Sequence, residues 1–195
     1  MDDANLVDEF VDTFAVLDDL SIVAGQRELR RYPSALITWD ETGEGTWRPL
    51  AVETSRVTLQ GLYQCMPGPL PSLYETLILS YQWAEVDLGR LRLLENLPPA
   101  LHGLRWAITA EAFLFRVLAQ GGFVQFGKGP DYDYDPVCFD LSRRDAEGDC
   151  PVVKFDHEEI LNRERLVVVE ELAPSFRKLM NVTIEDARQQ RAATP

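Results

Sequence analysis

GGFVQFGKGPDYDYDPVCFDLSRRDAEGDCPVVKF, residues 121–155, decides the fold class. Phe123 to Phe126 is a β run, and Val137, Phe139 and Leu141 alternate onto one face, the two-residue period of a strand. Val152, Val153 and Phe155 make a further strand. SRRDAEGD (142–149) reads as a hairpin loop between the two, and GKGP (127–130) as a turn. Phe139 and Phe155 belong on the core side.

Upstream, Leu104 to Ala119 is apolar on nearly every face (Trp106, Ile108, Phe113, Leu114, Phe115, Val117, Leu118). It is expected as one buried helix, stopped in the left-handed conformation at Gly121–Gly122. Downstream, Leu166 to Val169 predicts another strand. Pro174 suits the first turn of a helix. Phe176, Met180, Ile184 and Ala187 mark that helix's inner face, and RQQRAATP (188–195) should fray. Hairpin-linked strands with helices in separate runs, and no regular βαβ alternation, define an α+β domain.

Further upstream, Ser72 and Glu75 have capping-box spacing. Leu73, Leu77, Tyr81, Ala84 and Leu88 predict one helix face, and Leu91 to Leu94 a short strand ended by Asn96, Pro98 and Pro99. MPGPLP (66–71) divides an N-terminal extension, residues 1–66, from a main domain, residues 67–195. In the extension, Leu6, Phe10, Phe14 and Leu17 predict an amphipathic helix docked on the main body. Residues 1–20 hold seven acids and no Lys or Arg, so the outer face of that helix is acidic and could also meet a basic partner. Ala35 to Trp39 and Thr46 to Ala51 flank ETGEG (41–45) as a hairpin. Pro49 restricts its strand to an edge, and Val57 to Tyr63 is a third β-leaning run.

The chain has 195 residues, 46% of them hydrophobic, enough for a sizeable core. Its formal net charge is −13. Such a body repels nucleic-acid phosphates and anionic membranes and suits a basic partner. The three cysteines form no CxxC pair, which argues against a disulfide framework or thiolate zinc site and for a reducing, cytoplasmic setting. MDDANLVDEF lacks the basic and apolar regions of a signal peptide. The uncharged run Val57–Tyr74 contains Pro67, Pro69 and Pro71, so it is not read as a membrane span.

Two clusters carry candidate chemistry. Asp131, Asp133 and Asp135 alternate in GPDYDYDP (129–136), with Tyr132 and Tyr134 between them. An EF-hand loop starting at Asp131 would need glycine and glutamate where Pro136 and Ser142 stand, so the loop is read as an acidic, tyrosine-bearing surface suited to gripping a protein. Asp156, His157, Glu158 and Glu159 follow a strand, but Leu161 stands where HExxH needs its second histidine. Asp156 and His157 are read as closing the strand end by hydrogen bonds to backbone groups. Neither Cys138 nor Ser142 lies in a nucleophile motif, His102 is remote, and FGKGP is only a GxG fragment. Trp83 and Trp106 are assigned to the core. No catalytic residue, metal set or cofactor is expected, and Asp131, Tyr132, Asp133, Tyr134, Asp135, Asp156, His157, Glu158 and Glu159 are the candidate partner-binding residues.

Read together, GGFVQFG (121–127), YDPVCFD (134–140), PVVKFDHEEIL (151–161) and ELAPSF (171–176) resemble the SUKH superfamily, which includes the Smi/Knr regulators. LPSLYETLILSY (70–81) is similar to that family's first helix, and LRLLENLPP (91–99) to its short strand and turn. The resemblance covers roughly residues 68–181. It implies an α+β fold with a central, mainly antiparallel sheet packed by helices, and a non-enzymatic role. Many bacterial members are immunity proteins that neutralise polymorphic toxins, often nucleases, and fungal members regulate cell-wall synthesis through protein contacts. Asp135, Pro136, Phe139, Asp156 and His157 match pattern positions that either define the fold or line a partner-facing cleft. The expected function is an immunity protein for a basic toxin domain. The alternatives are a regulatory scaffold and a small metal-dependent hydrolase using His157, Asp156 and the loop acids.

Overall fold

The computed structural model describes residues 2–18, 20–22, 32–41, 45–99, 101–131 and 133–193. Near the N-terminus the expected single helix is two, α1 (Asp3–Val11) and α2 (Phe14–Leu17). They part at Thr13, whose hydroxyl donates back to the Phe10 carbonyl at 2.7 Å. Such local bonds compete with helix continuation. Leu6, Phe10 and Phe14 are buried as the pattern predicts. Two of the acids meet the last helix: Asp3 pairs with Arg177 at 2.6 Å, and Glu9 with Arg188.

β1 (Ser21–Ile22), β2 (Ile37–Trp39) and β3 (Gly45–Trp47) form an antiparallel sheet in the order β1-β3-β2. The β2–β3 hairpin is the expected one. Its turn residues 42–44 lie outside the described residues, and Ser34–Leu36 is a 3₁₀ turn rather than strand. The predicted strand Thr46–Ala51 breaks at Arg48–Pro49, and β4 (Leu50–Ala51) pairs with a later strand, β5 (Tyr81–Gln82), instead. Pro49 lacks the N–H that a continuous ladder needs. Val57–Tyr63 is not a strand. Ser55 accepts the Val57 N–H at 3.4 Å and starts a 3₁₀ turn (Arg56–Thr58), which runs into α3 (Leu59–Tyr63).

α4 (Ser72–Ser80) begins at Ser72 itself, after Pro71, and the capping box does not form. Glu75 points inward, bonded to the Tyr63 hydroxyl and the Arg56 guanidinium. The helix ends at Ser80, so Tyr81, Ala84 and Leu88 fall beyond it. β5 (Tyr81–Gln82) takes over, and Asn96 donates its side-chain amide to the carbonyls of Ile78 (3.0 Å) and Tyr81 (2.7 Å). β6 (Val86–Asp87) and β7 (Arg92–Leu93) follow.

The expected single helix over 104–119 is also two, α5 (His102–Thr109) and α6 (Ala112–Gln120). At about 100° per residue, the buried stripe Leu104–Ile108 and the buried stripe Leu114–Val117–Leu118 would lie on different faces of one rod. The break lets each stripe reach the core. Trp106 and Phe113 are left 53% and 37% exposed, so Trp106 is not core, whereas Trp83 is fully buried. Gly122, at φ +82°, makes the left-handed turn into the next strand.

β8 (Phe123–Lys128), β9 (Pro136–Asp140), β10 (Val152–Phe155), α7 (His157–Arg163), β11 (Val168–Ala173) and α8 (Phe176–Ala193) complete the chain. β11 starts later and runs further than Leu166–Val169. α8 starts two residues after Pro174, where Ser175 accepts the Lys178 N–H at 3.1 Å. The Asp149 carboxylate reaches over from the β9–β10 loop to accept the N–H groups of Phe176 and Arg177, both at 3.0 Å. A carboxylate there satisfies free donors and opposes the helix dipole favourably. α8 does not fray at 188. Gln190 and Arg191 donate to the carbonyls of Val16 (3.0 Å) and Asp12 (3.2 Å).

The main sheet has six antiparallel strands in the order β11-β10-β9-β8-β7-β6. The fold is therefore α+β, with helices against a central antiparallel sheet. One sheet face presents Val124, Phe126, Phe139 and Val152 to Tyr74 of α4 and Phe176 of α8, and Phe10 and Phe14 of the first helices join this core. The other presents Cys138, Val153 and Phe155 to Leu114, Val117 and Leu118 of α6 and Ile160 of α7. No described helix is long and apolar enough to cross a membrane.

This interior makes the fold sensitive to alkali. Burial pushes the Tyr74 phenol well up, and burial with the Glu75 bond does the same to Tyr63. Burial and the Asp8 bond push Tyr81 up to about 12, and burial raises Cys138 and Cys150, the latter to about 12. Each group holds its proton more tightly folded than unfolded, so its stabilisation is complete below the unfolded pKa and is lost as pH climbs toward the folded one. The melting temperature should fall steadily from about pH 9 to pH 12. A melting temperature that stays level across that range would contradict the burial of these groups.

Candidate functional site

The acidic loop before β9 is built by its own carboxylates. The Gly129 N–H donates to the Asp135 carbonyl at 2.9 Å, and the Asp133 N–H to the Pro130 carbonyl at 3.0 Å. Asp133 accepts the Asp135 N–H through Oδ1 (2.9 Å) and lies 3.3 Å from Lys154 Nζ through Oδ2. Asp135 accepts the His157 N–H at 2.8 Å. Asp133 and Asp135 are thus half-buried anchors that fasten the loop to β10 and to the start of α7. Asp131 and Tyr134 are exposed, Tyr134 by 57%. Tyr132 lies outside the described residues.

The second cluster is the first turn of α7. Asp156 caps it by accepting the Glu159 N–H at 2.9 Å. Its carboxylate therefore serves the helix that follows, while its own N–H closes the strand end on the Val167 carbonyl at 2.9 Å. The His157 backbone is tied to Asp135, and its Nε2 lies 3.6 Å from Glu111. Glu159 pairs with Arg163 and Arg165, and the exposed Glu158 accepts from Asn162 at 2.7 Å. The DYDYD loop and the DHEE turn therefore meet at one end of β10, joined through backbone donors.

The other nucleophile candidates are engaged or shielded. Ser142 donates its hydroxyl to Asp140 at 2.6 Å. Cys138 is fully buried, and burial pushes its thiol up, away from the reactive thiolate. Among the described residues, no three His, Cys, Asp or Glu side chains are grouped so as to hold a metal ion.

Asp131 joins two acids that sequence spacing did not single out. Its N–H donates to Asp87 Oδ2 at 3.0 Å, and the Asp87 N–H donates to Asp18 Oδ2 at 2.8 Å. The remaining oxygens of Asp87 and Asp18 accept from Gly89 (2.8 Å) and Leu20 (3.1 Å). The three carboxylates border a hollow of about 510 Å³, completed by Leu17, Gly89 and Pro130. No basic side chain lines it among the described residues. Backbone donors hold the acids in place, and their negative field faces an open concavity suited to ammonium or guanidinium groups. Asp18, Asp87 and Asp131 are separated by 69 and 44 residues, so no local motif announces them. The only sequence signal is the D-x-G turn at Asp87–Gly89.

The chain matches no family model and no curated protein.

Proposed function

We propose that this chain is a non-enzymatic protein-binding module of the SUKH type, an immunity protein that neutralises a basic toxin domain. The observation that carries the reading is the excess of negative charge: −13 over 195 residues, with Asp18, Asp87 and Asp131 converging on one open hollow. A nuclease toxin binds a polyanion, so its cleft is basic. A carboxylate-bearing surface can occupy that cleft, be steered to it, and hold it by paired charges. The order of the six motifs between residues 70 and 176 supports the same reading. The exposed Asp131, Tyr134 and Glu158 lie outward on the loop and helix that those motifs build. Asp133, Asp135, Asp156 and Glu159 act in this reading mainly by shaping that surface.

The experiment is co-expression with the product of the adjacent upstream gene, followed by titration at two salt concentrations. A complex in the micromolar range or tighter is expected, weakening as salt rises. Asp131→Asn should slow association and leave the melting temperature within a few degrees. No complex with a neighbouring basic protein, or one indifferent to salt, would overturn the proposal.

A further inference from the structure

The two edges of the main sheet are finished differently. β6, at one edge, has two residues, buries Val86, and has its Asp87 N–H taken by the Asp18 carboxylate. β11, at the other, has six residues, and Val168 to Glu171 are all exposed. Val168 and Val169 are 50% and 48% exposed on consecutive positions, so neither face is covered at the start of the strand. The register against β10 shifts twice, yet these four residues stay open. Among the described residues, no backbone group of residues 168–172 is bonded outside the β10 ladder. β11 carries no Pro and no Lys. Proteins ordinarily blunt such an edge with short length, Pro, charged side chains, bulges or a cover; here only the two glutamates and the two register shifts do so, and the outward backbone groups stay open.

We infer that β11 is a docking edge, and that its occupant is an extended basic segment of a partner protein, added as a seventh strand. The inference rests on the protein-binding reading and names its mode. Charge decides the occupant. Glu170 and Glu171 are exposed, Glu171 in a surface ion pair with Arg143 at 2.9 Å and Glu170 at 3.6 Å from Lys154, which is mostly buried and also faces Asp133. A surface pair such as that of Glu171 exchanges readily for others. A second copy of this chain would bring glutamates and a net −13 against the same edge. An incoming strand would satisfy outward backbone groups, place apolar residues beside Val168 and Val169, and place Lys or Arg beside Glu170 and Glu171. For antiparallel addition the matching order is two basic residues followed by two β-branched ones.

The probe is a fluorescein-labelled peptide with the core Thr-Lys-Lys-Val-Val-Thr, titrated against the full chain by anisotropy, with amide shifts followed by NMR. Saturable binding is expected, with shifts centred on residues 168–172. The glutamate analogue of the peptide and its backbone N-methylated form should each bind at least tenfold more weakly. Val169→Lys and the pair Glu170→Lys, Glu171→Lys should lose tenfold or more while keeping the native melting temperature. Absence of saturable binding, equal binding of the N-methylated peptide, or shifts elsewhere would overturn the inference. So would a dimer of the free chain abolished by Val169→Lys, which would make a second copy the occupant. If a neighbouring basic protein binds the wild type and these variants equally, the docking edge fails and the immunity reading stands. If the peptide binds as described and no basic protein does, the reverse holds.

Discussion

Replacing Phe139 by alanine should destabilise the fold by about 3–5 kcal/mol. Phe139 is fully buried at the middle of the main sheet. Its ring stacks on Phe126 at 3.9 Å and meets Tyr74 and Phe176 edge-on at 5.0 and 5.4 Å. These rings come from β8, β9, α4 and α8, so truncation leaves a cavity that no single element can close. Domains of this size are stable by about 5–15 kcal/mol, and the loss is a large fraction of that. Urea denaturation of Phe139→Ala beside Phe113→Ala checks it. Phe113 is 37% exposed, and its loss should cost much less. Similar costs for both would refute the packing described.

Gly103→Ala should also destabilise, by about 1–3 kcal/mol, although alanine ordinarily stabilises a helix by roughly 0.5–1 kcal/mol relative to glycine. Gly103 is the second residue of α5, where the helix crosses the segment before it. A Cβ there would sit 2.6 Å from the Leu97 carbonyl oxygen and 3.0 Å from the Leu97 nitrogen. These are backbone atoms, and Leu97 is itself fixed beside Asn96, which bridges β5 and α4. Gly61, within α3, is the control: nothing lies within 4 Å of the position its Cβ would take. Gly61→Ala should be neutral or stabilising. Melting temperatures of the two variants should move in opposite directions, and a shared direction would mean that α5 does not approach Leu97 this closely.

The sheet centre was legible because its signal is local. Val137 and Phe139 alternate, Val152, Val153 and Phe155 form an apolar run, the loop between is polar, and the hairpin pairs Val152 with Phe139. Phe176, Met180, Ile184 and Ala187 likewise keep the helical period and are all buried. Elsewhere the local signal was overridden. Ser72 and Glu75 have capping spacing, but Tyr63 and Arg56 draw the carboxylate inward. Leu104 to Ala119 is uniformly apolar, which hides that its two buried stripes are out of phase. Val57 to Tyr63 favours strand by composition, and the Ser55 turn starts a helix instead. Of the candidate site, Asp131 and the outward Tyr134 were legible as surface. The roles of Asp133, Asp135 and Asp156 as anchors depend on donors from Lys154, His157 and Glu159. Asp18 and Asp87 reach the hollow only because α2 packs beside β6.

The ionic seam between α1 and α8 bears on the order of synthesis. Asp3 and Arg177 are 174 residues apart, and Glu9 and Arg188 are 179. As the chain leaves the ribosome, α1 emerges well before α8 and stays without its counterpart until residues 177 and 188 have been made. Closing so large a loop carries an entropic cost and slows folding. The acids of α1, hydrated and mutually repelling, keep this early segment soluble while it waits.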